Sequence, residues 1–110
     1  VRSIRKLLLA TIILCLLISS VEAYQVKASW YEYGTTTASG EHFNPDGLTA
    51  ASRTLPFGTR LRITYKGRSV VVTVNDRGPY IAGRGLDLSR GAAKALHMIS
   101  LAGFVYFQTG

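Results

Sequence analysis

The sequence predicts a small all-β domain with one short helix. Apolar residues alternate with polar ones in several short runs, which is the pattern of half-buried strands. Only one stretch combines helical spacing with a suitable N-cap, and 110 residues are enough for a single domain. Several short strands in so small a domain favour a closed barrel, because closure removes the unpaired edges that invite aggregation.

The beginning of the chain has the three parts of a secretory signal peptide. Three basic residues lie within the first six positions, the 12-residue apolar stretch Leu7–Ile18 follows, and Val21–Ala23 supplies small residues before a cleavage site. The alternative is an uncleaved membrane anchor, but the apolar stretch is shorter than the roughly 20 residues that span a bilayer. We therefore expect residues 1–23 to be removed and residues 24–110 to form an exported domain without a membrane anchor, in the periplasm or the cell wall.

Composition narrows the partners of the exported domain. The only cysteine, Cys15, lies in the apolar stretch, so the domain has no disulfide and depends on its core. Without the charged residues of the signal peptide, the formal charge of +7 becomes about +5. This charge suits anionic polymers outside the cytoplasm such as those of the cell wall, although a solvated basic face is the alternative. No motif indicates nucleic acid, a metal site or another cofactor, and we expect a monomer.

The strands can be assigned in chain order. Alternation over Val26–Trp30 predicts the first strand. Arg60–Tyr65 and Arg68–Asn75 are joined by Lys66-Gly67, where glycine supplies the positive φ of a tight turn, so this region is predicted to be a β-hairpin. Gly103–Phe107 is predicted to be the last strand.

One helix and one long loop complete the predicted elements. Ser89 is a good N-cap for a helix over Arg90–Met98, whose alanines and Leu96 can pack inward. Glu32–Gly47 is rich in glycine, threonine, serine, asparagine and proline, so we predict a loop. The interior of a small barrel is filled by side chains, and a binding site must therefore lie in a surface groove lined by loops and strand ends.

Three carboxylates are candidates for chemistry. Asp76 ends the second hairpin strand, where it is either a turn aspartate that accepts backbone hydrogen bonds or a catalytic acid. Asp87 stands just before the helix, where a structural acceptor is the alternative to a functional role. Glu41 lies in the long loop, where it is either a solvated carboxylate or part of a site.

Three strings resemble the rare lipoprotein A (RlpA) family: ASWY at 28–31, TASGEHFNPDGLTAASRTLPFGT at 37–59 and VNDRGPYIAGRGLDLS at 74–89. They cover nearly the whole domain in the family's order, and NDRGP with DLS is the most specific part. The resemblance implies a six-stranded double-psi β-barrel, a fold also found in expansins. It further implies binding to peptidoglycan and lytic cleavage of glycan strands that have lost their stem peptides, which leaves 1,6-anhydromuramyl ends.

Position by position, the resemblance implies that Asp76 is the catalytic residue and that Glu41 assists it. Asp87 lies in a DLS string that is similar to an expansin motif. We expect this residue to have either a catalytic or a structural role. Two positions depart from the family pattern, because Asn44 stands where the family has aspartate and Ser52 where it has histidine. We expect these two residues to contact substrate.

Further contacts to sugar are expected from aromatic and cationic side chains. Trp30, Tyr31 and Tyr33 offer faces on which sugar rings can pack, and Arg77 offers a cation. For Trp30 the alternative is a core position, because it alternates with the apolar residues of the first strand.

Two functions follow. In lytic cleavage one carboxyl can protonate the glycosidic oxygen and then take the proton of the attacking muramyl 6-hydroxyl, so the paired carboxylates of ordinary glycosidases are not required. Such a carboxyl must start protonated, which requires a pKa above that of free aspartate. The second function is a non-catalytic module that binds wall glycan or loosens the wall as expansins do.

Overall fold

The structure is a computed structural model that describes residues 23–109. The predicted signal peptide, including Cys15, lies outside the described residues except for Ala23. The described part contains six strands and one helix: β1 Tyr24–Tyr31, β2 Thr49–Ala51, β3 Arg60–Tyr65, β4 Arg68–Asp76, β5 Arg84–Ser89, α1 Arg90–Ala95 and β6 Ala102–Thr109.

The strands close into a barrel in the order β1-β5-β2-β4-β3-β6. Two pairs, β1 with β5 and β2 with β4, are parallel, and the other four pairs are antiparallel. The predicted all-β class with one short helix and six barrel strands is confirmed. The predicted hairpin is also present as β3 and β4, with positive φ at both Lys66 and Gly67 of its turn.

Apolar side chains fill the barrel interior. The inward positions of each strand alternate with outward ones, and the central residues are at most 1% exposed: Leu61, Ile63, Val72, Val74, Leu86, Leu88 and Val105. This packing leaves the outer surface as the place for a site.

The helix starts as predicted but ends earlier. The Ser89 hydroxyl oxygen accepts a hydrogen bond from the amide of Ala92 and donates one of 2.6 Å to the carbonyl of Gly47. The predicted end at Met98 is wrong, because Leu96 is the C-cap and His97 adopts a φ of 53°. This left-handed residue turns the chain away from the helix axis while Leu96 and Met98 remain buried.

Strands β2 and β5 have no counterpart among the predicted elements. Each of them pairs with a neighbouring strand through a β-bulge. Strand β2 has only three residues, too few for a visible alternation. Strand β5 contains Gly85 as an extra residue opposite β1, and β4 contains Asn75 as an extra residue opposite β2. A Cβ at Gly85 would lie 2.9 Å from the Cβ of Val26, so this bulge requires glycine.

Candidate active site

Two aspartates face the same groove on the outside of the barrel. Asp76 on β4 is in register with Ala51 on β2, and Ala51 is in register with Asp87 on β5. Residues in register on adjacent strands point to the same face, and two strand spacings correspond to about 9–10 Å between Cα atoms. We call this surface the Asp76–Asp87 groove. Ala51, which is only 2% exposed, lies between the two aspartates in the strand order.

The bulges decide which way these aspartates point. Without the extra residue Asn75, the alternation that buries Val72 and Val74 would also direct Asp76 inward. The bulge restores Asp76 to the outer face of the sheet. Asp87 is outward by simple alternation, because Leu86 and Leu88 on either side of it are buried.

Asp76 receives hydrogen bonds from three separate elements. Its Oδ1 accepts from the amides of Ala38 and Arg77, each at 2.9 Å, and its Oδ2 accepts from the Tyr31 hydroxyl at 3.0 Å. The bond from Arg77 is that of a turn aspartate, whereas the other two come from the long loop and from β1. The carboxyl group is therefore fixed in one orientation at a junction of three segments.

Tyr31 is a dedicated hydrogen-bond partner of Asp76. Its ring stacks on Phe43 with 4.7 Å between centroids and 9° between planes. Burial, and then the charge of Asp76, raise the pKa of Tyr31 far above its ordinary value, so that the hydroxyl stays protonated. Because Phe43 covers one face of the ring, at most the other face is open to a sugar.

The pKa of Asp87 is shifted in the direction that favours a proton donor. Burial raises its pKa above the ordinary value, and the charge of Asp76 acts in the same direction. The Ser29 hydroxyl, which donates to Asp87 at 3.0 Å, and the cation of Arg84 oppose this shift without cancelling it. The N-cap of α1 is Ser89, so Asp87 does not serve as the structural acceptor at the helix start.

Glu41 lies at the rim of the groove. Its exposed carboxylate accepts a hydrogen bond of 3.1 Å from the Ser39 hydroxyl. The loop is closed by a bond from the Thr37 amide to the Glu41 carbonyl, and the Ser39 amide donates to the carbonyl of Asn75. The same loop thus carries Glu41 and presents the Ala38 amide to Asp76.

At the two positions that depart from the family pattern, the side chains accept hydrogen bonds from nearby backbone amides. Asn44 accepts from the amide of Asp46 at 3.1 Å, which is an Asx turn. Ser52 is 3% exposed, and its hydroxyl oxygen accepts from the amides of Thr54 and Leu55. Its side chain is thus buried inside a turn, and its contact with substrate stays a prediction.

Arg77 holds a loop instead of facing the groove. Its guanidinium donates to the carbonyls of Ser52 and Leu55, at 3.1 and 2.8 Å, and lies 3.9 Å from the ring centroid of Phe57. These contacts give Arg77 a structural role, and its contact with substrate stays a prediction. They fix the segment after β2, so that Arg77 supports the groove from behind.

The structure separates Trp30 from the other predicted aromatic contacts. Trp30 lies on the opposite side of β1 from Tyr31, packs against the core and donates from its indole nitrogen to the Ser100 carbonyl at 3.2 Å. It lines another pocket, of about 390 Å³, beside Met98. The core alternative therefore describes Trp30 better, whereas Tyr33 is 83% exposed and free to meet a ligand.

Sequence reasoning missed three supporting residues, namely Ser29, Ala51 and Phe43. Ser29 could have been found from the alternation that puts it on the same face as Tyr31. Ala51 and Phe43 carry no chemical signal of their own, because they act through register and stacking. Within residues 23–109, no group of three or more His, Cys, Asp or Glu side chains could hold a metal ion, and no helix is long and apolar enough to cross a membrane.

The family model described as lytic transglycolase matches residues 23–108. The chain belongs to this family. Among curated relatives, it is 62% identical over 84 residues to the probable endolytic peptidoglycan transglycosylase RlpA of Nostoc sp., covering 70% of this chain and 23% of that protein. It is 55% identical over 67 residues to the endolytic peptidoglycan transglycosylase RlpA of Yersinia pestis, covering 59% and 19%. The chain thus spans about a fifth to a quarter of the length of these relatives, and the resemblance to the RlpA family is confirmed.

Solved structures agree on the fold. Streptomyces papain inhibitor superposes with a TM-score of 0.64 at 20% identity, over 82% of this chain and 96% of the inhibitor. Cerato-platanin 3 from M. perniciosa gives a TM-score of 0.50 at 13% identity, over 79% and 94%. At such identities the likeness concerns the fold alone, and it confirms the double-psi β-barrel.

Proposed function

We propose that this domain is a lytic transglycosylase that cleaves peptide-stripped glycan strands of peptidoglycan. The observation that carries the proposal is the pairing of Asp76 and Asp87 on the outer face of the sheet, with the pKa of Asp87 raised by burial. The names of the curated relatives support peptidoglycan as the polymer. We further infer that the domain acts as a monomer outside the cytoplasm, after removal of residues 1–23.

The reaction needs a proton donor and a proton acceptor on the same side of the sugar. The donor protonates the glycosidic oxygen, and the bond from this oxygen to the muramyl C1 breaks with its electron pair going to the oxygen. The muramyl 6-hydroxyl then attacks C1 and loses its proton to the acceptor, which closes the 1,6-anhydro ring. No water molecule is consumed, so the product carries an anhydromuramyl end.

The groove supports a division of these tasks between its two aspartates. We assign Asp87 as the donor, because burial raises its pKa and so shifts the carboxyl towards the protonated form. Asp76 is the better acceptor, because its carboxyl group is already oriented by hydrogen-bond donors. Tyr31 can donate to an ionised Asp76 or accept from a protonated one, so this bond persists as the proton arrives. Glu41 assists from the rim by adding negative charge beside the groove.

The decisive experiment is digestion of purified, peptide-stripped glycan with the protein, followed by mass spectrometry of the products. We expect anhydromuramyl ends. If the folded protein sediments with isolated sacculi but releases no product, the second function, a non-catalytic glycan-binding or wall-loosening module, replaces the first. The backbone roles of Asn44 and Ser52 are the observations that favour this alternative, because neither residue replaces the acidic or imidazole group of the family pattern.

The identity of the proton donor has its own test. If the two aspartates divide the work, Asp87→Asn should abolish product as fully as Asp76→Asn. If Asp76 performs both steps, as the sequence alone predicts, Asp87→Asn should retain most of the activity. Initial rates on stripped glycan distinguish the two, with circular dichroism as the check that each variant is folded.

A further inference from the structure

A second concave surface lies on the wall of the barrel beside the Asp76–Asp87 groove. It has a volume of about 380 Å³, and its described lining residues include three cations and no carboxylate. Lys27 comes from β1, Arg84 from the start of β5 and Arg53 from the segment after β2, and Phe104 of β6 borders them with 64% of its surface exposed. We call this surface the cationic pocket.

The strand register holds the cations together. Lys27 is in register with Arg84 on one side and with Phe104 on the other, so the three side chains form a row across β5, β1 and β6. Like charges at directly opposed positions destabilise a sheet. Between residues 23 and 109, neither Lys27 nor Arg84 forms a salt bridge that would relieve this repulsion. An anionic ligand would relieve it.

Arg53 makes the pocket a built structure. One nitrogen of its guanidinium donates to the carbonyls of Pro79 and Arg84, each at 2.8 Å. These two bonds fix the guanidinium in place over the start of β5. The pocket therefore holds at least one cation whose position is set before any ligand arrives, which reduces the entropy lost on binding.

Strand β5 contributes residues to both the cationic pocket and the groove. Gly85 is the extra residue of the β5 bulge, so Arg84 and Asp87 face the same side although they are three residues apart. Their register partners on β1, Lys27 and Ser29, are two residues apart, so Arg84 and Asp87 lie about 7 Å apart along the sheet. The charge of Arg84 also acts on Asp87, which shows that the two side chains are electrostatically close.

We propose that the cationic pocket binds the lactyl carboxylate of a muramyl residue near the one being cleaved. This inference rests on the proposed function. Removal of a stem peptide by hydrolysis of its amide bond leaves a free carboxylate on the lactyl ether of each muramyl sugar. A peptide-bearing muramyl sugar carries a neutral amide at the same position. The pocket thus distinguishes stripped glycan by charge, while the Phe104 ring packs against the apolar edge of the sugar or the lactyl methyl group.

The test compares two tetrasaccharides of alternating N-acetylglucosamine and N-acetylmuramic acid. One has free lactyl carboxylates, and in the other these are converted to N-methylamides. Binding is measured by calorimetry with the Asp76→Asn variant, so that the ligand is not consumed, and KM is measured with the wild type as an independent readout. We expect the amide to bind about tenfold more weakly, the contribution of a charge-assisted hydrogen bond in a partly exposed site.

Variants that remove one cation test whether the pocket is what distinguishes the carboxylate tetrasaccharide from the amide. Lys27→Gln and Arg84→Gln should each weaken binding of the carboxylate form and leave the amide form unchanged. Arg62→Gln is the matched control, because it removes the same charge from the exposed face of β3, which lies across the closed barrel from β5. Arg62→Gln should alter neither ligand.

Three results would overturn the inference. Equal binding of the carboxylate and amide forms would refute the pocket but leave the lytic function intact, since product formation is measured separately. If a glycerol phosphate oligomer binds more tightly than the carboxylate tetrasaccharide and displaces it, the pocket would be assigned to phosphate polymers instead. Absence of binding to either tetrasaccharide, with no product from stripped glycan, would refute the pocket together with the proposed function.

Discussion

The two halves of the barrel differ in regularity, and the candidate chemistry lies in the irregular half. On one side, β3 and β4 form a hairpin that pairs without interruption from Arg60 to Tyr65. On the other side, the short β2, the bulged β5 and the bulged end of β4 at Asn75 and Asp76 pair with register shifts. In the irregular half, each extra residue reverses the alternation and brings a charged side chain to the outer face. The comparison teaches that the regular half stabilises the barrel, whereas the bulges position its reactive groups.

The largest expected effect tests whether chemistry belongs to the irregular half. Asp76→Asn should lower the rate of anhydromuramyl release by about 10²–10⁴-fold, because the amide cannot accept the proton of the 6-hydroxyl. The two side chains are nearly equal in size, so sacculus binding and the circular dichroism spectrum should be retained. Arg62→Gln in the regular half should leave the rate unchanged. A variant that does not fold would instead show that Asp76 is chiefly a structural turn residue.

The next effect compares one glycine from each half. Gly85→Ala places a Cβ 2.9 Å from that of Val26, so we expect a loss of about 1–3 kcal/mol and a reduced rate as the bulge shifts Asp87 and Arg84. Gly67→Ala in the hairpin turn meets no atom within 4 Å, but its φ of 80° costs about 1–2 kcal/mol in a residue with a side chain. Urea unfolding should show both losses, whereas glycan cleavage should fall only for Gly85→Ala.

A smaller effect concerns the hydrogen bond between β1 and Asp76. Tyr31→Phe keeps the ring that stacks on Phe43 and removes only the hydroxyl. Because bonds to charged groups contribute about 1.5–3 kcal/mol, we expect kcat to fall about tenfold to a hundredfold with little change in KM. Tyr106→Phe, which removes the hydroxyl of a tyrosine that is 51% exposed on β6, is the matched control. A selective rise in KM for Tyr31→Phe would show that the tyrosine binds substrate instead of orienting Asp76.

The smallest effect is on stability and depends on pH. A raised pKa means that folded Asp87 binds its proton more tightly than the unfolded chain does, so wild-type stability falls as pH rises from the ordinary value of 3.8 through the raised one. Asp87→Asn has no charge to bury and should therefore increase Tm at pH 7. The difference from the wild type should shrink as the pH falls below 3.8. Equal or lower stability of the variant at pH 7 would show that burial of this carboxyl is not unfavourable.

The sequence-based predictions were more accurate in the regular half of the barrel than in the irregular half. The hairpin and the N-cap at Ser89 depend on residues that are neighbours along the chain, and both were predicted. Strands β2 and β5 were not, because their pairing involves segments far apart in sequence. The helix was predicted too long, because apolar residues continue past Ala95 as Leu96 and Met98. These two residues remain buried although the left-handed His97 between them ends the helix.

The sequence by itself determined the fold class and the identity of the principal carboxylates, because alternation, turn residues and motif strings are local properties. Only the tertiary structure decided what each polar group does. Arg77 and Ser52 hold loops, and Trp30 belongs to the opposite face of its strand. Asp87 joins Asp76 because Ala51 stands in register between them. Register and bulges arise from pairing between distant strands, and no local pattern of residues contains that information.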